Sequence, residues 1–234
     1  MIKQILTLVI LLFGAALAEA APKDAVVRIR SHGCSGTVIA TTQGRSWILT
    51  CAHAWEKTRD KTAPIIIDSP SPSPGAVVRN SSPRLAAIDY KLDLALIEMT
   101  TGPLPYTCPV APVGTNVRVC TSVGYDGMRW PAVTTQATVW GVRTSGTVTY
   151  THERPRSGRS GGPLISECGR LVGVVSGYEL QGSMRGMYAS HQAILTFLGS
   201  RQSTPAYPYY APRVWEERTP RLPTPGCPPN WRGG

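Results

Sequence analysis

Three short segments carry the side chains that acyl-transfer chemistry requires. The first is Ser157-Gly158-Arg159-Ser160-Gly161-Gly162-Pro163-Leu164. Glycines on both sides of Ser160 allow a sharp turn that exposes the hydroxyl and aims the amides of Gly158 and Ser160 at one point, where an oxyanion would be held. A serine hydroxyl is a poor nucleophile until a base takes its proton. His53, in Leu49-Thr50-Cys51-Ala52-His53-Ala54, directly follows an apolar run, which places it at a strand end where it can face a cleft and act as that base. Asp93, in Leu92-Asp93-Leu94-Ala95-Leu96-Ile97, immediately precedes another apolar run. There it can be largely removed from water and still accept a hydrogen bond from the imidazole, fixing the tautomer and stabilising the imidazolium. Each segment alone has a common structural explanation: a glycine turn, a histidine at a strand end, an aspartate in a turn. Their joint occurrence in one chain, in the order His, Asp, Ser, points to a nucleophile, a base and an orienting carboxylate.

The elements that must position these residues are short and β-rich. Runs such as Ala25-Val26-Val27-Arg28-Ile29-Arg30, Ser46-Trp47-Ile48-Leu49-Thr50, Leu94-Ala95-Leu96-Ile97, Val117-Arg118-Val119-Cys120, Ala137-Thr138-Val139-Trp140 and Leu171-Val172-Gly173-Val174-Val175 are bounded by turn-forming residues. Many short strands without helical periods between them predict an all-β fold of antiparallel sandwiches or barrels and exclude a parallel βαβ sheet. One helix is predicted, over 190–198, with Ser190 as N-cap and apolar residues at helical spacing. The stretch Asp68-Ser69-Pro70-Ser71-Pro72-Ser73-Pro74-Gly75 is read as an exposed loop, because its prolines cannot donate ladder hydrogen bonds.

The two ends differ in character from the middle. Met1-Ile2-Lys3-Gln4 carries one positive charge and leads into an apolar run to Phe13 and then small residues to Ala20. That is the pattern of a secretory signal peptide over 1–20, with a mature chain beginning near Ala21, a secreted or periplasmic location and no stable membrane insertion. Residues 201–234 shift to Pro, Tyr, Arg and Gly and read as an extended or disordered tail whose aromatics offer a tail-mediated contact with a partner. One catalytic unit is expected over 21–200. The net charge of +10 is spread over single Arg and Lys residues. It favours anionic surroundings such as cell-wall polymers or lipid headgroups, and no nucleic-acid motif accompanies it. Six cysteines without a C-x-x-C pair, beside four scattered histidines, point to disulfides in an oxidising compartment and to no metal or organic cofactor.

The His53, Asp93 and Ser160 segments resemble the corresponding blocks of the chymotrypsin- and trypsin-like serine peptidases, from about Val26 to Leu198. The resemblance implies two packed six-stranded antiparallel barrels with a short C-terminal helix, His53 and Asp93 coming from the first barrel and Ser160 from the second. It implies a peptide or protein substrate and an acyl-enzyme route. Gly173-Val174-Val175-Ser176-Gly177 resembles the strand lining the primary specificity pocket, with Ser176 near the aspartate, and Gly186-Met187-Tyr188-Ala189 resembles the opposite wall. By the same resemblance Arg154 falls at the base of the pocket. An inward Arg154 would prefer acidic side chains, whereas an outward one would leave Tyr178 to narrow the pocket toward small apolar residues; a preference for Lys or Arg is disfavoured either way. The resemblance pairs Cys34 with Cys51 and Cys120 with Cys168, leaving Cys108 with Cys227.

The chain also departs from the family. Digestive and clotting members have an aspartate before the nucleophile that captures a newly cut N-terminus, and this chain has Arg159 there. The pattern is closer to compact bacterial and periplasmic members. Two other functions are weighed against peptide hydrolysis: a catalytically silent relative that serves as a binding module, and an esterase using the same groups. The intact set of three residues argues against the first. The absence of a strand-turn-helix setting around the serine argues against the second.

Overall fold

Strands too short to bury a face alone find their partners in antiparallel ladders. The computed structural model describes residues 22–42, 44–57, 64–70, 77–80, 83–100, 104–112, 115–179 and 185–200; the segments 1–20 and 201–234, with the signal-peptide and tail readings, lie outside them. The strands are β1 (Val26–Ile29), β2 (Cys34–Thr42), β3 (Arg45–Thr50), β4 (Ile67–Pro70), β5 (Val77–Asn80), β6 (Pro83–Asp89), β7 (Leu94–Met99), β8 (Val119–Gly124), β9 (Val133–Val142), β10 (Val148–Thr151), β11 (Pro163–Ser166), β12 (Leu171–Tyr178) and β13 (Gly186–Ser190). A single-turn helix α1 (His53–Lys57) follows β3, and α2 (His191–Gly199) follows β13.

The strands form two units. The first is a seven-stranded sheet in the order β5-β4-β1-β2-β3-β7-β6, and the second is a closed six-stranded barrel in the order β10-β13-β12-β11-β8-β9. The all-β class, the antiparallel pairing and the terminal helix agree with the sequence reading. The first unit has one strand more than expected, because the β4–β5 hairpin extends the sheet beyond β1.

That hairpin corrects the reading of Asp68–Gly75 as an exposed loop. Asp68, Ser69 and Pro70 belong to β4, and Asp68 and Ser69 are buried; residues 71–76 lie outside the described residues. Burying a carboxylate requires a partner, and the register supplies one by placing Arg28 of β1 opposite Asp68. The guanidinium donates through Nε at 3.0 Å and through Nη2 to the same oxygen, Oδ2. The strand expected over Val117–Cys120 begins at Val119 and runs on to Gly124.

One apolar core runs through both units. Ile48, Leu49, Leu94 and Ile97 from β3 and β7 are fully buried and join Val123, Tyr125, Ile165 and Val174 from the barrel side. A second cluster, including Cys120, Leu164, Val172, Val175 and Tyr188, fills the barrel interior. Helix α2 is placed as its sequence predicts: the Ser190 side chain accepts from the amide of Ala193, and Ala193, Ile194, Phe197 and Leu198 form its buried stripe. Among the described residues no helix is long and apolar enough to cross a membrane.

Hydrogen bonds also cross between the units. Tyr125 Oη donates to Val26 O at 3.0 Å, Arg28 Nη1 to Met128 O at 2.8 Å, and the amide of Ser35 to Ser160 O at 2.7 Å. Arg28 therefore serves two acceptors, a buried carboxylate in its own sheet and a carbonyl in the other unit. Arg28→Ala leaves the Asp68 charge buried without this partner and is expected to destabilise the fold by roughly 3–5 kcal/mol in urea denaturation. The double variant with Asp68→Asn is expected to recover part of that loss.

Candidate active site

The two units meet in a cleft of about 1060 Å³, lined among others by His32, His53, Asp93, Arg154, Ser160 and Tyr178. His53 is the first residue of α1, three residues beyond the strand end at Thr50 expected from sequence. Asp93 stands immediately before β7 with φ of 53°, a left-handed conformation that aspartate tolerates better than most residues. That backbone turns its carboxylate back toward α1. Oδ1 accepts the amides of Ala52 at 3.0 Å and His53 at 2.8 Å. The imidazole Nδ1 lies 3.0 Å from Oδ1 and 2.9 Å from Oδ2. Ser176 Oγ donates to Oδ2, which places Ser176 beside the aspartate as the resemblance implied.

Both side chains of the pair are about one-fifth exposed, so the cleft reaches them while bulk water surrounds neither. Burial alone would raise the Asp93 pKa. Hydrogen bonds from His53 and Ser176, the imidazole charge and the His53 amide together outweigh it, and the carboxyl titrates below its ordinary value. The imidazole is pushed up to about 10, first by its bond to Asp93, then by a hydrogen bond with Cys51, with burial opposing. An ionised carboxylate only accepts, so Nδ1 carries the proton and Nε2 is the nitrogen left to act as base.

Ser160 sits in a turn whose shape depends on glycine. Gly158 and Gly161 have φ of 90° and 80°. A Cβ on Gly158 would collide with the carbonyl of Tyr125, and one on Gly161 with Thr50 Oγ1 and the carbonyl of Ser35. Among the described residues, no acceptor takes the amides of Gly158 or Ser160, whereas Gly161 N donates to Val175 O at 2.7 Å and Gly162 N to Arg159 O at 2.8 Å. Nor does Ser160 Oγ form a hydrogen bond to the imidazole, as is common before a substrate tightens such a site.

The sequence reading missed Ser35. Fully buried in β2, it donates from Oγ to Gly158 O at 2.8 Å and accepts there from the amide of Tyr125 at 3.1 Å. The local sequence gives no sign of this role, because Ser35 gains it only when the second unit docks. The sequence also gave no sign of the aromatic wall in which His32 stacks on Trp55 with ring centroids 4.4 Å apart.

The structure brings Arg154, Ser176, Gly177 and Tyr178 to the cleft. Arg154 lies over the Tyr178 ring at 3.5 Å from its centroid, so the two alternatives merge into one wall of cation on aromatic. Gly186 does not line the cleft; in β13 it packs against Thr151 and the carbonyl of Glu153.

The disulfide expectations are also revised. Cys34, Cys51 and Cys120 are free, buried thiols, and Cys108 is buried as well. Cys34 and Cys51 adjoin without a bond: the Cys51 thiol is held protonated by a hydrogen bond with Cys34 and by burial. Cys120 is enclosed in the barrel interior, where burial pushes its thiol up to about 12. Cys168 is disulfide-bonded, and Cys227 lies outside the described residues. Among the described residues no group of three or more His, Cys, Asp or Glu side chains could hold a metal ion.

Residues 34–174 match the trypsin-like peptidase domain model. No curated protein matches the chain. Solved structures share its fold: the inactive form of Rv3671c from M. tuberculosis H37Rv superposes with a TM-score of 0.59 at 19% identity, over 84% of this chain and 95% of that one. The MamO protease domain from Magnetospirillum magneticum gives 0.59 at 20% identity, over 76% and 97%. The serine endoprotease from Yersinia pestis gives 0.58 at 20% identity, over 76% of this chain and 62% of that one. The chain belongs to the trypsin-like peptidase domain family and is a serine-type peptidase, a hydrolase.

Proposed function

We propose that the protein is an endopeptidase in which Ser160 attacks the scissile carbonyl, His53 takes and returns the proton, and Asp93 orients the imidazole. The carrying observation is the Asp93 carboxylate, which is held by two backbone amides and Ser176 and directed at Nδ1 of His53. Attack forms a bond from Oγ to the carbonyl carbon as Nε2 accepts the hydroxyl proton. The amides of Gly158 and Ser160 hold the resulting oxyanion. Collapse expels the amine, which takes the proton from Nε2, and leaves an acyl-enzyme. Water then enters by the same proton path and releases the acid. The binding-module alternative finds no support, since all three groups converge on the cleft.

We place the activity outside the cytoplasm, in a secreted or periplasmic compartment. The apolar N-terminal segment and the disulfide at Cys168 support that placement. The substrate is a polypeptide. Arg154 over Tyr178, with Arg156 beside it on the cleft wall, makes the wall cationic and favours an acidic side chain before the scissile bond.

Cleavage of casein by the parent protein is expected to vanish in Ser160→Ala and after treatment with a fluorophosphonate that labels Ser160; casein cleavage persisting in Ser160→Ala would remove the serine from the mechanism. The base works only when neutral, so a raised imidazole pKa moves the acid limb of kcat/KM to the alkaline side of 6.5, with activity rising as pH increases. Asp93→Asn is expected to move that limb down in pH and to lower kcat by about 10⁴-fold, as read from pH–rate profiles of both proteins. A peptide-library profile is expected to show Asp or Glu before the cleaved bond, with Arg154→Ala losing that preference; a parent profile dominated by Lys or Arg would overturn the assignment.

A further inference from the structure

The residue before the nucleophile is a buried cation. Arg159 is only 3% exposed, and its guanidinium faces both oxygens of Asp126, with Nε on Oδ1 and Nη2 at 3.3 Å from Oδ2. Nη1 donates to Thr135 Oγ1 on β9 at 2.9 Å, so the fork is spent on one carboxylate and one hydroxyl. The stem lies against Gly124, where a Cβ would come within 3.0 Å of Arg159 Cγ. Arg156 adds a weaker contact to Asp126 at 3.5 Å from an exposed side chain.

The segment carrying Asp126 also cradles the turn. Gly127 N donates to Ser157 O at 2.7 Å, and the missing Cβ of Gly158 leaves the space taken by the carbonyl of Tyr125 and the amide of Met128. Arg159 thus joins the turn to the 125–128 segment at a second point, one residue from the Ser160 amide and one from Gly158.

We infer that the Arg159–Asp126 ion pair is an internal clamp that sets the oxyanion turn, with both members acting as positioning residues. This rests on Ser160 being the nucleophile. The fold supplies the counter-charge for the residue preceding Ser160 from its own barrel, so the turn is assembled without a newly cut N-terminus. Loss of the carboxylate forces the guanidinium to seek water, and its backbone carries the amides of Gly158 and Ser160 away from their common point.

The test pairs kinetics with hydrogen exchange on Asp126→Asn, Asp126→Glu and the exchanged pair Asp126→Arg with Arg159→Asp. Asp126→Asn is expected to lower kcat by about 10²–10³-fold, with KM changed by less than about threefold. The amides of Arg159 and Gly162 are expected to exchange roughly tenfold faster while those of β8 and β12 keep their protection. Asp126→Glu and the exchanged pair are expected to regain roughly tenfold or more in kcat over Asp126→Asn. If Asp126→Asn does not fold, Thr135→Val removes only the Nη1 bond and is expected to give the same local pattern at smaller amplitude. If the parent protein cleaves nothing, faster exchange confined to the turn in Asp126→Asn would uphold the clamp and overturn Ser160 as the nucleophile. Unchanged exchange and kcat, or exchange quickened equally throughout the barrel, would overturn the clamp.

Discussion

The backbone around Ser160 is sealed between two separately hydrogen-bonded sheets, and the rest of the site depends on that seal. Ser35 holds it from the first unit at two points, by its amide on Ser160 O and its hydroxyl on Gly158 O. Thr50 Oγ1 in turn donates to Ser35 O at 2.7 Å, so β2, β3 and the turn share one chain of bonds. There is no room in this packing for side chains at Gly158, Gly161 or Gly162. The consequence is geometric. The unit bearing His53 and Asp93 is tied to the peptide bonds that flank Ser160, and the relative placement of His53 and Ser160 follows from these contacts rather than from the two side chains themselves.

Charge is managed under the same constraint. A carboxylate largely removed from water needs several donors, and Asp93 has two amides, a hydroxyl and an imidazole. Elsewhere Glu98, fully buried on β7, meets Arg45 and Arg84, and Asp68 meets Arg28. In each case the anion is the buried member and the arginine reaches in from a more exposed stem, keeping part of its side chain in water. Arg159 inverts the pattern: its side chain is 4% exposed and that of Asp126 is 20% exposed. The cation next to Ser160 is the one arginine among these pairs whose stem the fold encloses.

Much of this was legible in the sequence because glycine, histidine and aspartate carry their local geometry with them. The turn around Ser160, the positions of His53 after and Asp93 before apolar strands, and the Ser190 cap were all readable from neighbours in the chain. What was not readable depends on partners distant in sequence. Asp68 looked like a loop residue because Arg28, 40 positions away, supplies its counter-charge only after β1 and β4 pair. Nothing between Cys34 and Gly36 marks Ser35, because its bonds span 123 and 90 positions. The disulfide pattern misled for a similar reason. Cysteines at family-like spacing were read as cross-links, but the core treats Cys34, Cys51 and Cys120 as small apolar side chains.

The segment from Tyr125 to Trp130 connects these observations. Arg28 donates to Met128 O and lies over the Trp130 ring at 5.9 Å, and Trp130 stacks on Tyr125 with centroids 5.3 Å apart. Tyr125 reaches back to Val26 through its hydroxyl, and its amide is held by Ser35. Two ion pairs from different units therefore converge on one short stretch, Arg28–Asp68 from the sheet and Arg159–Asp126 from the barrel. A segment whose two ends stack on each other as rings, and whose middle is held by arginines at Asp126 and Met128 O, has few ways to move without breaking several contacts at once. It bears directly on Ser157 and Gly158, so the stiffness of the turn around Ser160 comes from the first sheet as much as from the barrel that carries it.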